Sequence, residues 1–343
     1  MSGMPIVLPP GLDEQRELGP DWAAWLDRLP RMFADLLDEW GLTREGDDLW
    51  HGACSLVAPV RTTDGEPAVL KVTADADDES VHEGLTLQHW HGDGAVRLLR
   101  ADPHRRALLL ERLDRRDLTS VRDVEACEIV AGLYPRLHVP ALPQLATVTS
   151  YVARWLENLA GQARDIPIPH RYREQALSLG RDLVADPASV GRTIHGDLHY
   201  ANVLASAPAL ERSRPGSPVE RDRPGSPVEL HRPGPPVERS RDPWLAIDPK
   251  PMSGDPHYEP APMLWNRYDE LGGDVRRGLR RRFHALIDAA GLDEDRARDW
   301  VVVRMVINAN WSVEDAQRAG RGLDADERRW ITRCIAISKA VQG

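Results

Sequence analysis

The stretch Thr193-Ile194-His195-Gly196-Asp197-Leu198-His199-Tyr200-Ala201-Asn202-Val203-Leu204 decides the reading of this chain. It fits the pattern H-x-D-L-x-x-x-N, a loop that carries an aspartate and an asparagine five residues apart. The chemistry of phosphoryl transfer accounts for both residue types. An aspartate accepts or orients the proton of an attacking hydroxyl, and an asparagine amide oxygen is a hard donor suited to magnesium. Asp197 is therefore the candidate catalytic residue and Asn202 a candidate metal ligand. The apolar strand Val203-Leu204 follows at once, and a second one, Trp244-Leu245-Ala246-Ile247, ends in Asp248. A carboxylate at the end of the strand paired with the catalytic-loop strand is where a second magnesium ligand belongs, so Asp248 is the other candidate.

Working upstream, Lys71 lies in Val69-Leu70-Lys71-Val72 and fits a strand lysine that pairs with nucleotide phosphates. Glu83, twelve residues on, is its expected partner on a following helix, with Glu79 as the alternative. Gly52-Ala53-Cys54-Ser55 occupies the place of a phosphate loop, with Ser55 as a possible donor to a phosphate. There is no G-x-G-x-x-G and no G-x-x-x-x-G-K-[ST] in the chain, which excludes a P-loop enzyme. Leu108-Leu109-Leu110-Glu111-Arg112-Leu113 reads as the link between two lobes, where the backbone from Glu111 to Leu113 faces a nucleotide base.

Periodicity arranges these segments in two halves. Apolar side chains at Trp22, Trp25, Leu26, Leu29, Phe33, Leu36 and Leu37 have helical spacing and predict one amphipathic helix over 21–40. Residues 48–73 read as short strands with a turn at Thr63-Asp64-Gly65, and Asp75–Trp90 reads as an acidic helix. Apolar runs at Ala95–Leu99 and Ala107–Leu110 complete a small antiparallel sheet. From Asp123 the pattern is helical, over 123–138, 148–162, 171–185, 273–290, 293–319 and 324–342. The expectation is an α+β, two-lobed fold: a sheet-containing lobe over 1–110 and a mostly helical lobe over 111–343.

Between Asn202 and Asp248 a nonapeptide recurs as RSRPGSPVE, RDRPGSPVE and LHRPGPPVE. Rich in Pro, Gly and charge, residues 207–242 have almost nothing to bury and are predicted to be disordered or locally polyproline II. They read as an expanded loop at a hairpin tip, with a protein partner for the Pro-rich repeat not expected.

Composition narrows the function classes. A net charge of −10 argues against nonspecific nucleic-acid binding and is compatible with a cationic substrate. No apolar run is long enough to span a membrane, and no basic-flanked leader is visible. Three widely spaced cysteines without a CxxC read as reduced packing residues, so a cytoplasmic location is expected. The chain has 41 arginines but three lysines, Lys71, Lys250 and Lys339. In such an arginine-biased chain a lysine can persist where a compact, flexible ammonium is needed. Two of the three lie in the segments that carry chemistry, while Lys339, near the C-terminus, reads as chance retention.

These motifs together resemble the aminoglycoside phosphotransferase superfamily. Within it the chain is similar to the aminoglycoside/hydroxyurea resistance kinases, whose type member acts on streptomycin. VLKV (69–72), LLLERL (108–113), IHGDLHYANVL (194–204) and AIDPKPMSGDPHYEPAPMLWN (246–266) carry the likeness. It implies a protein-kinase-like fold, ATP and Mg2+ as cofactors, Asp197 as catalytic aspartate, Asn202 and Asp248 on magnesium, and Lys71 on the nucleotide phosphates. Two departures stand out. The Pro-rich repeat is outside the family pattern, and Glu259 replaces the usual aspartate after the Gly-Asp-Pro of Asp255.

No long activation segment follows Asp248, so a small-molecule acceptor is expected rather than a protein. For a cationic aminocyclitol of the streptomycin kind, Asp255, Glu259, Glu314 and Asp315 are candidate substrate carboxylates. The alternatives are hydroxyurea, another amino alcohol or metabolite, and a non-catalytic nucleotide-binding or interaction protein.

Overall fold

The structure, a computed structural model, describes residues 6–46, 48–206 and 243–343. The predicted insert, 207–242, lies outside the described residues. Strands β1 (Thr43–Arg44), β2 (Trp50–His51), β3 (Ser55–Arg61), β4 (Pro67–Thr73), β5 (Leu98–Asp102) and β6 (Ala107–Glu111) form one antiparallel sheet. Its order is β1-β3-β4-β6-β5, with β2 also paired to β3. A four-residue helix α1 (Pro10–Asp13) precedes α2 (Pro20–Trp40), and α3 (Glu83–Trp90) lies between β4 and β5.

Strand alternation gives this sheet two different faces. Leu56, Ala58, Val60, Ala68, Leu70, Val72 and Leu109 point to one side and pack with Leu26, Leu29, Phe33 and Leu36 of α2. Val57, Val69 and Lys71 occupy the other, with Val57 and Leu108 directly across from Lys71. One sheet thus closes a hydrophobic core on one side and lines a cleft on the other.

The second half holds α4 (Asp123–Leu137), α5 (Val148–Gly161), α6 (His170–Ala185), α7 (Ala261–Trp265), α8 (Val275–Ala290), α9 (Glu294–Arg318) and α10 (Ala325–Val341). The long helix α9 is its axis: Trp300 to Asn310 are all buried. Two small hairpins, β7 (Arg192–Ile194) with β10 (Met252–Gly254) and β8 (Val203–Ala205) with β9 (Trp244–Ala246), flank the catalytic-loop segment. Val203 pairs with Ala246 and Ala205 with Trp244. Beyond them the Ser206 amide donates to the Pro243 carbonyl at 2.9 Å, so the chain leaves and re-enters this hairpin side by side.

A further core joins the halves. Leu87, Trp90, Val96 and Leu110 from the sheet lobe pack with Val130, Tyr134, Leu198, Val203 and Leu245 from the helical lobe. It lies directly under the loop that bears Asp197.

The predicted helices match to within two residues at each end, except in the acidic stretch. There the helix begins only at Glu83. Asp77 accepts from the Glu79 amide at 3.3 Å and from the Ser80 hydroxyl, and such side-chain competition for local donors favours a turn. The apolar run at 95–99 also divides: Leu98 and Leu99 enter β5, while Ala95 bridges to Ala246 in the other lobe. All three cysteines are unpaired, and among the described residues no helix is long and apolar enough to cross a membrane.

Candidate active site

Two cavities are each lined by residues of both lobes. The first, of about 320 Å³, lies under the sheet and is lined by Ser55, Val57, Lys71, Glu83, Asn202 and Asp248, among others. The Lys71 ammonium donates to both oxygens of Glu83 at 2.7 Å and to Asp248 Oδ1 at 2.5 Å. Glu83, not Glu79, is therefore the partner of Lys71. Burial opposes the charge on Lys71, but Asp248 and Glu83 more than offset it and hold its pKa above the ordinary lysine value. Burial pushes the Glu83 carboxyl up to about 7 against the pull of Lys71. Asp248 keeps a pKa below the usual carboxylate range: burial works against its charge, and Lys71 outweighs burial. Its backbone has φ of 57°, an uncommon conformation for a side-chain-bearing residue.

Ser55 is buried at the start of β3, and Gly52 and Ser55 close the loop between β2 and β3 by a backbone hydrogen bond of 3.0 Å. Glu111 and Leu113 also line this cavity. The Glu111 side chain accepts from the Arg97 amide at 2.7 Å.

The catalytic-loop segment is pinned from several sides. The His195 ring bonds to the Ile247 carbonyl at 2.9 Å through Nε2 and accepts from the Asp197 amide at 3.2 Å through Nδ1. This pair of bonds requires the neutral ring, and burial lowers the His195 pKa accordingly. The Asn202 amide nitrogen donates to the Asp197 carbonyl at 2.9 Å, which leaves the amide oxygen as the donor for a cation. Gly196 has φ of +79°, and a Cβ on it would come within 2.3 Å of the Lys250 carbonyl oxygen.

The second cavity, about 600 Å³, opens on Asp197. Its walls include Asp78 and Glu79 from the sheet lobe, Lys250, and the aromatic rings of Tyr151, Trp265 and Trp311. Lys250 Nζ lies 2.9 Å from Glu79 Oε2 and 3.7 Å from Asp197 Oδ2. The Tyr151 hydroxyl donates to Glu79 at 2.9 Å. Burial opposes both charges of the Lys250–Glu79 pair, yet Asp197 and Glu79 together hold Lys250 above its ordinary pKa, and Lys250 with the Tyr151 bond holds Glu79 below its own.

The four candidate substrate carboxylates lie elsewhere. Glu259 is fully buried beneath the loop, where Oε1 accepts from the His195 amide and stands 3.6 Å from His138 Nε2. Asp255, 1 % exposed, is held by Trp300 Nε1 at 2.7 Å, Arg296 Nε at 2.5 Å and His257 Nδ1 at 2.6 Å. Glu259 braces the loop from behind, Asp255 caps the turn at Pro256–Tyr258 and ties it to α9, and neither lines the Asp197 cavity. Glu314 accepts from Asn310 at 2.6 Å, and exposed Asp315 pairs with Arg318 at 2.9 Å, one turn beyond the cavity wall formed by Trp311. Buried carboxylates hydrogen-bonded to backbone and a solvated i,i+3 pair both have partners already.

Sequence reasoning missed the parts contributed across the lobe junction. Lys250 stood out as a rare lysine without a role, Glu79 only as an alternative partner for Lys71, and Tyr151 not at all.

A family model described as aminoglycoside/hydroxyurea antibiotic resistance kinase matches residues 39–316. The chain belongs to this family of resistance kinases. A streptomycin 6-kinase of Streptomyces glaucescens is 37% identical to this family member over 312 residues, covering 89% of each chain. A hydroxyurea phosphotransferase of Kitasatospora aureofaciens is 35% identical over 305 residues, covering 86% of this resistance kinase and 76% of the relative. Among solved structures, an aminoglycoside phosphotransferase in ternary complex with ADP and hygromycin B aligns with TM-score 0.53 at 15% identity, over 90% of this chain and 98% of that one. The protein-kinase-like fold of a small-molecule kinase is thus in place.

Proposed function

We propose that this chain moves the γ-phosphoryl group of Mg-ATP to a hydroxyl of a small cationic aminocyclitol of the streptomycin kind. In this reading residues 1–110 form the nucleotide-binding lobe and 111–343 the catalytic and substrate lobe. Lys71, steadied by Glu83, pairs with the nucleotide phosphates, Ser55 donates to them, and the backbone from Glu111 to Leu113 meets the base. Asn202 and Asp248 would hold magnesium. Their amide and carboxylate oxygens fit an ion that takes one or two protein ligands and fills its remaining positions from phosphates and water. Bound there, it neutralises charge on the phosphates. Asp197 orients the acceptor hydroxyl and accepts its proton as the oxygen bonds to phosphorus.

One observation carries the acceptor class. The cavity at Asp197, about 600 Å³, sets the carboxylates of Asp78, Glu79 and Asp197 and the rings of Tyr151, Tyr258, Trp265 and Trp311 beside the cations Arg154, Lys250 and Arg304. Carboxylates and ring faces both attract guanidinium and ammonium groups, and the volume suits a drug-sized ligand. Hydroxyurea, a handful of heavy atoms, would leave most of this space unfilled. It is the second reading, supported by the 35% identical hydroxyurea phosphotransferase.

Incubation with ATP, magnesium and a panel of aminocyclitols, followed by mass analysis, tests the choice. Streptomycin is expected to gain one phosphoryl group and hydroxyurea none. Phosphorylation of hydroxyurea alone would move the assignment to the second reading, and no modified acceptor in the panel would sink the first.

A further inference from the structure

The roles above leave Lys250 unused, although it is built into the loop on both sides. Its amide donates to the His195 carbonyl at 2.9 Å, and its own carbonyl lies where a Cβ on Gly196 would have to go. The backbone is therefore pinned within the catalytic-loop segment, and the flexible stem decides where the ammonium sits. Glu79 fixes that choice at 2.9 Å, and Tyr151 fixes Glu79.

The neighbouring cations are committed differently. Lys71 is bound to Glu83 and Asp248 in the nucleotide cavity. Arg304 is buried, donates to the Gly196 and Tyr258 carbonyls, and lies over the Tyr258 ring at 4.2 Å. Lys250 lies 3.7 Å from the Asp197 carboxylate, in the cavity that would take the acceptor. Reacting atoms in a near-attack arrangement stand about 3–3.5 Å apart. An ammonium at its present distance from Asp197 is thus within reach of the oxygens on a phosphorus approached by the hydroxyl. A lysine is also chemically apt: among 41 arginines the chain keeps here a compact charge on a mobile stem.

We propose that Lys250 is a catalytic residue whose ammonium donates hydrogen bonds to the non-bridging oxygens of the phosphoryl group in transit, with Glu79 as its positioning residue. This rests on the kinase reading with Asp197 as the catalytic aspartate. The acceptor oxygen bonds to the γ-phosphorus as the bond from that phosphorus to the β,γ-bridging oxygen breaks. ADP leaves with the electron pair, the hydroxyl proton passes to Asp197, and Lys250 keeps its protons throughout. Glu79 belongs to the sheet lobe and Lys250 to the helical lobe, so the ammonium is held over Asp197 only while the lobes face each other.

The test compares full-length wild type, Lys250→Met, Lys250→Arg, Glu79→Gln and Asp197→Asn. Each is assayed for turnover with streptomycin, for slow hydrolysis of ATP to ADP, and for affinity toward Mg-ADP. Lys250→Met is expected to lose about 10²–10³-fold in kcat, the scale of a lost transition-state donor. Its Mg-ADP affinity is expected to stay within about threefold of wild type, because ADP lacks the transferred group. Lys250→Arg recovers part of the lost rate, and Glu79→Gln loses about tenfold in kcat by releasing the ammonium. The proposal is overturned if Lys250→Met turns over within about threefold of wild type, or if Mg-ADP affinity falls as far as kcat does. Should Lys250→Met fail to fold, Lys250→Gln takes its place and overturns the proposal if it turns over within about threefold of wild type, while unchanged kcat in Glu79→Gln overturns the positioning role. ATP hydrolysis reports the same ratios without an added acceptor, so a wrong acceptor does not mask the result. Inactive Asp197→Asn beside fully active Lys250→Met removes Lys250 alone, whereas fully active Asp197→Asn removes the kinase reading itself.

Discussion

Asp197 and Gly196 meet different demands at adjacent positions. Asp197→Asn keeps shape and hydrogen bonding but cannot take the acceptor proton; a loss of about 10²–10⁴-fold in kcat is expected, with Mg-ADP affinity retained in calorimetry. Gly196→Ala places a methyl group 2.3 Å from the Lys250 carbonyl oxygen at a φ of +79°, so backbone must move. It is expected to lower both melting temperature and turnover, while an alanine at exposed Gly132 in α4 raises melting temperature slightly and leaves turnover unchanged. Lys71, Asp197, Asn202 and Asp248, which the structure brings to the lobe junction, stood out in the sequence because phosphoryl transfer asks for those residue types in that order. Lys250 and Glu79 were not, because nothing in their local sequence states that a turn before α3 will touch the segment after β9. Glu259 was misleading for a related reason. Its motif position is readable, but the direction of its side chain, into the loop backbone, is a property of packing.

At the scale of elements, the loop is held by what lies behind it. Removing the Glu259 carboxylate strands the buried His195 amide without its acceptor. Glu259→Ala is expected to cost about 1–3 kcal/mol in chemical denaturation and to reduce kcat more than acceptor KM. The β8–β9 hairpin gives the opposite expectation. Its register is set by Val203–Ala246, Leu204–Leu245 and Ala205–Trp244, and its ends meet at Ser206 and Pro243. A chain in which a short Gly-containing turn replaces 207–242 is expected to match wild type in turnover and melting temperature. The elements were largely readable from periodicity, as in α2 and α9, because burial on one stripe or all round writes itself into spacing. The false extension of α3 to Asp75 shows the limit. Acidic residues fit a helix start and a turn equally well, and the Ser80–Asp77 bond within the segment, with Arg106 reaching in from outside it, decides the matter.

At the scale of the whole molecule, the described residues are organised around three cores: one beneath α2, one around α9, and one shared between the lobes under the catalytic loop. Asp255 ties α9 to the turn at Pro256–Tyr258 and gives the fold an acid dependence. Burial opposes its charge, but bonds from His257 and Trp300, with Arg296 alongside, hold its pKa below the ordinary aspartate value. A depressed folded pKa means stability that is present above the unfolded value and lost as pH falls through the folded one. Melting temperature is therefore expected to drop on acidification below about pH 4, and Asp255→Asn to be less stable at neutral pH with a flatter acid limb. That the halves share a core was not legible, since its members are drawn from distant segments whose apolar runs look alike. The side-by-side ends of the hairpin at Ser206 and Pro243 have a practical meaning as well. They form a splice port four residues from Asn202 and five from Asp248. A foreign domain grafted there, with termini that spread on binding its own ligand, would pull directly on both candidate metal donors and make turnover a readout of that ligand.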